Sequence, residues 1–384
     1  MTDAARTPDA RSVLYRVEEG LLLLFSMAVF LSISVMEITF LLALATRLVR
    51  WVMMGERPQA PVLYVLAGGT LLASWLLASA LCPEPGPSFA TTLRLYQLLV
   101  VPVLVEHAAS SQAAGRLLLF YAAGAALSSV YGLWSWAERL PENPAYRLET
   151  VFSTAMTSGN VFAMAVAGLW TYCWRAGLPA ARWLTGGLAL AAAALVATLT
   201  RSSWLGAGVG ALWGVYWARR RPWAAAVLAL VVVAAAFVPT ARERATVLAD
   251  ASEYTARGRI SVWRTGLEIL AKRPMTGWGL GDKGEMIREH RRADATFEAG
   301  HFHSNPVQVA VGTGFVGLLA YALFHGAVGL LLWRRRHSAL ALAAFAAWLA
   351  FHVAGFFDWS FGDAEVAYHY FWWIGVGLGA AASR

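Results

Sequence analysis

Charge is scarce in this sequence. Of 384 residues, 14% are Asp, Glu, Lys or Arg, against 58% that are hydrophobic, and the mean hydropathy is +0.54. A water-soluble chain of that length could not bury so much apolar surface. Runs of roughly 18 or more apolar residues recur from end to end, each long enough for a membrane helix. Cysteine is scarcer still: Cys82 and Cys173 fall in different apolar runs and suggest no disulfide framework. No small-residue cleavage site follows the first apolar run, so the polar N-terminus, MTDAARTPDARSVLYR, reads as a retained signal-anchor. A two-half repeat is missing too, which counts against a transporter or flippase.

What is present reads as an all-α polytopic membrane protein, a single membrane domain over residues 1–384. About twelve spans are expected, near 17–34, 36–52, 62–81, 91–106, 115–136, 150–174, 182–200, 202–218, 222–240, 305–333, 338–357 and 365–382. The first two are separated only around Ser34–Glu37. With the N-terminus inside, the inner loops are RLVRWVMMGERPQ, EHAASSQAAGR, RAGLPAAR, ARRRRP and RRRH, and the short outer loops are CPEPGPS, AERLPENPAYRLE and DWSFGDAE. Basic residues gather on one side and acidic ones on the other, as the positive-inside rule requires. The formal charge of +8 is therefore topogenic, and no basic face with interleaved aromatics suggests nucleic acid. The 18 Trp and 12 Tyr fit aromatic belts at the membrane interfaces. Within the spans, Glu37 and Arg94 are the main charged residues expected.

One connection breaks the pattern. Residues 241–304 form a long polar loop on the outer side, between the ninth and tenth expected spans; loops of this length usually carry function or a small fold of their own. Within it, RGRISVWRTGLEILAKRP predicts an amphipathic helix over 258–272, with Ile260, Trp263, Leu267 and Leu270 as its apolar stripe and Pro274 as its stop. Such a helix would lie on the membrane surface or across the bundle. The GWGLG that follows reads as a flexible turn; with no preceding strand and no Lys-Ser/Thr after it, it is not a phosphate loop.

The titratable groups worth weighing lie around this loop. His303 stands in HFHSNPVQ, where Asn305 is expected as N-cap and Pro306 as the first helical residue. The positive helix end disfavours imidazolium, which leaves a neutral ring competent as a general base. The plainer reading is an interfacial histidine that only hydrogen-bonds. His301-x-His303 could be half of a metal site, but no third ligand stands at a telling spacing. Arg201, in TLTRSSWLGAGVG, begins a span at the outer face. There an unpaired arginine costs at least ~2.5–3.5 kcal/mol near hydrocarbon, so either a bound anion or a carboxylate such as Asp358, Asp363 or Glu365 must offset it. Arg259 starts the amphipathic helix and is either solvated or a second anion clamp. Arg147 on the same side is a weaker candidate, and Gln308 need not share a face with His303. Arginines converging near one imidazole would hold a pyrophosphate while the ring activates a hydroxyl. No DxD pair occurs in the outer loops, in keeping with a metal-free clamp.

Three segments together resemble the O-antigen ligase and polymerase family. TLTRSSWLGAGVG is similar to the family's arginine motif at the outer end of a span, GRISVWRTGLEILAKRPMTGWGLG to its helix and turn, and HFHSNPVQVAVGTGFVGLL to its histidine motif. The resemblance covers about Thr198 to Leu319. It departs at Ser304, where the family often has Asn, at Gly312, where it often has Glu, and at Pro306. It implies about twelve spans with both termini cytoplasmic, in a bacterial inner membrane, with a periplasmic site and no cofactor or metal. His303 would be the base, and Arg201 and Arg259 would bind pyrophosphate; Arg147, His301 and Gln308 are secondary. The donor would be a glycan on undecaprenyl pyrophosphate, the acceptor a hydroxyl of lipid A-core, the surroundings membrane lipids, and the displacement inverting. A repeat-unit polymerase and a protein O-oligosaccharyltransferase are the related alternatives. A lipid-linked glycan transporter or flippase is the reading of a different class.

Overall fold

A computed structural model of the chain describes residues 10–152, 154–217, 254–296 and 298–379. Among the described residues the chain is helical and contains no strand. The helices are α1 (Ala10–Ala28), α2 (Ile33–Met53), α3 (Val62–Leu81), α4 (Pro85–Leu93), α5 (Val100–His107), α6 (Ser111–Arg139), α7 (Ala155–Ala176), α8 (Leu178–Ala197), α9 (Arg201–Trp217), α10 (Tyr254–Lys272), α11 (Gly284–Glu289), α12 (Asn305–Arg334), α13 (Ala339–Gly355) and α14 (Ala364–Gly379). Among the described residues, four stretches are long and apolar enough to cross a membrane: α3, α4 through α5, α6 and α12. The chain is thus a helical membrane protein. The ninth expected span, 222–240, lies outside the described residues.

The break between α1 and α2 falls earlier than Ser34–Glu37. Ser32 caps α2, its hydroxyl accepting from the Val35 N–H, because a β-region serine there satisfies a donor the helix leaves open. α1 also starts well before residue 17, at Ala10. Glu18 is fully buried and binds Arg47 Nε at 2.5 Å and Arg50 at 2.7 Å; Arg50 also reaches Glu56 at 2.6 Å and Glu106 at 2.8 Å, and Arg47 also pairs with Glu106. Buried charges survive only when paired in this way. Arg47 and Arg50, expected in an inner loop, lie within α2 and are buried, where Glu18 and Glu106 pair with them.

The aromatic residues also depart from expectation. Trp372, Trp373, Tyr121, Tyr368 and Tyr370 are among the largest fully buried side chains. All but Tyr121, which is on α6, belong to α14, and polar tips among them find partners: Trp373 Nε1 donates to Tyr121 Oη at 3.0 Å and Trp372 Nε1 to Ser26 Oγ at 2.9 Å. Cys82 and Cys173 are free and buried.

Helices α7, α9 and α13 pack on one another. A Cβ on Gly206 or Gly210 would come within 2.5 Å of the Ala350 or 2.4 Å of the Ala346 carbonyl oxygen, so this small-residue spacing lets α9 lie against α13 backbone to backbone. α13 runs antiparallel to α7 and α9, so its C-terminal end meets their N-terminal ends.

Of the polar segment 241–304, residues 241–253 lie outside the described residues, and the part from Tyr254 is folded onto the start of α12. Ser261, Val262, Thr265, Ile269 and Leu270 form the buried face of α10, and Val262, Ile269 and Leu270 share a satellite core with Ile287, Ala299, Phe302, Ala310 and Val311. The predicted stripe is corrected: only Leu270 of it is buried, while Ile260 is 37% and Leu267 59% exposed. Val262, Ile269 and Leu270 face inward beside Gly266, where α10 approaches Phe302 and Val307 closely. GWGLG is likewise not a loose turn. Trp278 and Gly279 N–H groups donate to the Val311 and Gly312 carbonyls at 2.9 and 2.8 Å, and Phe315 N–H donates to Pro274 O at 2.8 Å. The approach needs glycine on both sides: Gly277 has φ +67, and Gly314, where α12 kinks, has φ +66 with the Met275 backbone 2.2 Å from any added Cβ. Gly312, whose added Cβ would lie 3.0 Å from Gly279 O, belongs to the same seam.

Candidate functional site

The N-terminal ends of α7, α9 and α12 and the C-terminal end of α13 meet at one place, and polar side chains join them. Ser203, in the first turn of α9, donates to Asn160 Oδ1 at 2.8 Å, and Asn160 Nδ2 donates to Asp358 Oδ2 at 2.9 Å. The other Asp358 oxygen lies 3.8 Å from His303 Nδ1. One turn earlier on α7, Thr157 donates to Asp363 Oδ2 at 3.0 Å. Asn305 ties α12 to the same loop, its amide donating to Ser360 Oγ at 3.1 Å and accepting from Phe361 N–H at 3.0 Å. Asn305 is therefore not the N-cap expected; Ser304 takes that position without a side-chain cap bond, because the asparagine amide is committed to this cross-link.

His303 sits where the loop turns into α12. Phe302 is fully buried in the satellite core, so the flanking histidines remain at the rim, their ring centroids 4.1 Å apart. His303 has φ +47, a left-handed conformation that costs a non-glycine residue on the order of 1 kcal/mol. Two bonds hold it: Gln308 Oε1 accepts from Phe302 N–H at 2.9 Å, and His301 Nδ1 accepts from His303 N–H at 3.1 Å. Gln308 thus acts on the loop's backbone. The His303 side chain keeps 18% exposure, while that of Asp358 keeps 6%, so a buried carboxylate backs a partly open ring.

Electrostatics around the pair are mixed. His301 is held down to about 4, first by burial, then by His303; Asp358 pulls the other way, Arg259 pushes with His303, and Asp282 opposes. Arg259, in the first turns of α10, is therefore within electrostatic reach of the histidines. Asp363 is pushed up to about 7 by burial and by Asp358, against the Thr157 hydroxyl and Arg94. One donor atom from each of His301, His303 and Asp358 lies within 4.8 Å of the others. This supplies the third ligand that sequence spacing lacked, from 55 residues beyond His303. The positive ends of three helices and Arg259 oppose a divalent cation there and favour an anion.

Arg201 is the first residue of α9, two positions before Ser203, and so stands at the same junction. The hinge before it is strained, with Leu199 at φ +51. Arg147 braces that hinge: Nε donates to Thr198 O at 3.0 Å and Nη2 to Thr200 Oγ1 at 2.7 Å. Arg147 is a support for Arg201 in this arrangement. Sequence reasoning missed Asp358 as a partner of His303, and missed Asn160 and Ser203 altogether.

Residues 186–322 match the family model described as O-antigen ligase. No curated protein matches the chain. The matched stretch holds Arg201, Arg259, His301, His303 and Gln308; Arg147, Asn160 and Asp358 lie outside it.

Proposed function

We propose that this chain, whose residues 186–322 match the family model described as O-antigen ligase, transfers a glycan from undecaprenyl pyrophosphate to a hydroxyl of lipid A-core at the periplasmic face of the bacterial inner membrane. The observation that carries this reading is the Asp358-backed His303 at a junction of helix N-termini shared with Arg201 and near Arg259. In this reading the protein is one membrane domain of about twelve spans, with both termini cytoplasmic and residues 241–304 as its periplasmic loop.

Asp358 faces His303 Nδ1, which leaves Nε2 as the base. The acceptor hydroxyl gives its proton to Nε2, and its oxygen attacks the anomeric carbon from the side opposite the leaving group. The anomeric C–O bond breaks, the configuration inverts, and undecaprenyl pyrophosphate departs with the electron pair. Arg201 and Arg259 take up the charge that grows on the pyrophosphate, supported by the helix N-termini. Asp358 stabilises the imidazolium as it forms, the role of an orienting carboxylate in a triad. The chemistry requires no metal, since guanidinium groups carry the leaving-group charge.

A repeat-unit polymerase uses the same donor and differs in its acceptor, and a protein O-oligosaccharyltransferase differs likewise. Incubating purified protein with lipid-linked glycan and rough lipopolysaccharide separates them. Ladder-bearing lipopolysaccharide supports the ligase; longer lipid-linked glycan with unmodified lipopolysaccharide replaces it with the polymerase.

A further inference from the structure

Of the apolar stripe of α10, only Leu270 packs into the satellite core. Ile260, Trp263 and Leu267 follow one another at three- and four-residue spacing and so share a face. Ile260 and Leu267 are 37% and 59% exposed. Trp263 reaches across to the end of α13, its ring centroid 5.7 Å from Phe356 at 82° and 6.2 Å from Phe357 at 33°. Phe356 is itself 50% exposed. Together they make a strip that is aromatic at its centre and aliphatic at its ends.

The strip is not placed at random. Phe356 and Phe357 immediately precede Asp358, and Arg259 lies four residues before Trp263, about 6 Å along the helix and on a neighbouring face. A ligand with its anionic head at Arg259 would therefore have its tail start on this strip. Such a ligand has one charged end and one long apolar end. Resting on the lipid-pyrophosphate reading above, we propose that Ile260, Trp263, Leu267, Phe356 and Phe357 form the docking surface for the polyprenyl chain of the donor. The strip then fixes the angle at which the pyrophosphate enters the arginine clamp. Binding energy from the unreactive tail thereby goes into positioning the reacting carbon.

Two measurements test this. In the first, wild type, Trp263→Ala and Leu267→Ser are compared with two donors that carry the same glycan pyrophosphate, one on undecaprenol and one on a two-isoprene chain. Leu267→Ser removes exposed apolar surface without disturbing a packed contact, so it stands in if Trp263→Ala fails to fold. With the long donor we expect kcat/KM to fall about tenfold, the order expected for one lost apolar side chain. With the short donor wild type and variants should have the same kcat/KM. An equal loss with both donors would overturn the proposal, and so would no loss with either. In the second, a photoreactive polyprenyl pyrophosphate without glycan is crosslinked to the wild-type protein, so no transfer is needed. Labelling of 260–267 and 356–357 that undecaprenyl pyrophosphate suppresses, and phosphatidylglycerol does not, supports the proposal. Suppression by both lipids makes the strip an ordinary bilayer contact and sinks it. Labelling that stands while wild type transfers nothing would fault the ligase reading alone.

Discussion

Replacing Asp358 by Asn probes the proposed chemistry at near-constant shape. The buried Asp358 carboxylate accepts from Asn160 Nδ2 at 2.9 Å and faces His303 Nδ1 at 3.8 Å. An asparagine that keeps its oxygen toward Asn160 turns its NH2 toward the ring. Nδ1 must then become the acceptor, the proton moves to Nε2, and the base is lost. The charge matters as well. Two unit charges about 4 Å apart interact by about 4 kcal/mol at an effective dielectric of about 20, and at about 1.4 kcal/mol per decade of rate that sets a ceiling near 10³-fold. We expect single-turnover transfer to fall by about 10²–10³-fold, within the range that general-base catalysis supplies. Thermal stability should change by no more than about 1–2 kcal/mol, because the hydrogen bond to Asn160 is weakened and not abolished. Transfer is read from radiolabelled donor and folding from the melting transition in detergent. A folded Asp358→Asn protein within threefold of wild-type rate would refute the orienting role.

Arg201→Lys keeps the charge but loses the bidentate fork; transfer should drop by about 10–100-fold, of order 1.4–3 kcal/mol, and full activity in a steady-state assay would make Arg201 a structural cation. Asp363 is raised to about 7 in the folded protein from an ordinary 3.8. The native state therefore holds a proton that the unfolded chain has released, and this contribution to stability is complete below the ordinary value and lost as pH rises through about 7. Melting curves across that window should show the decline in wild type and less of it in Asp363→Asn. Arg47→Ala leaves Glu18, fully buried, without its closest cation and should cost about 3–5 kcal/mol, read as lost yield and a lowered melting temperature, while the distant site keeps its specific activity in whatever protein folds. Gly314→Ala forces a Cβ against the Met275 backbone at a positive φ and should cost at least about 1–3 kcal/mol, with accelerated proteolysis at 274–279 as the sign that the turn has come away from α12.

The membrane character was legible because long apolar runs have few other uses, and helices occur at the expected places throughout the described residues. The hinge at Arg201 was legible because two apolar runs met there with a charge between them. Asp358 was not legible as a partner for His303: it is one of several acids in a short loop between two apolar runs, and only the antiparallel packing of α13 against α7 and α9 selects it. Asn160 and Ser203 are ordinary polar residues within apolar runs, and 43 residues separate them. The α10 stripe was found by its spacing, but periodicity does not say which of two faces the protein buries. Here the face that carries Gly266, where Phe302 and Val307 come close, went inside. Asn305 carried a good capping signal, yet Ser360 and Phe361 offered its amide better use. The Glu18–Arg47–Arg50–Glu106 cluster was hidden because its members come from three helices far apart in sequence, α1, α2 and α5, and only three-dimensional packing pairs them.

The most direct test of the account is transfer by purified His303→Ala beside wild type, with lipid-linked glycan, rough lipopolysaccharide and EDTA present. The account predicts ladder-bearing lipopolysaccharide from wild type despite the chelator, and a loss of about 10²–10⁴-fold in the variant, with the melting temperature little changed. Equal product from a folded His303→Ala protein would contradict it and leave the histidine a structural residue of the α12 N-terminus.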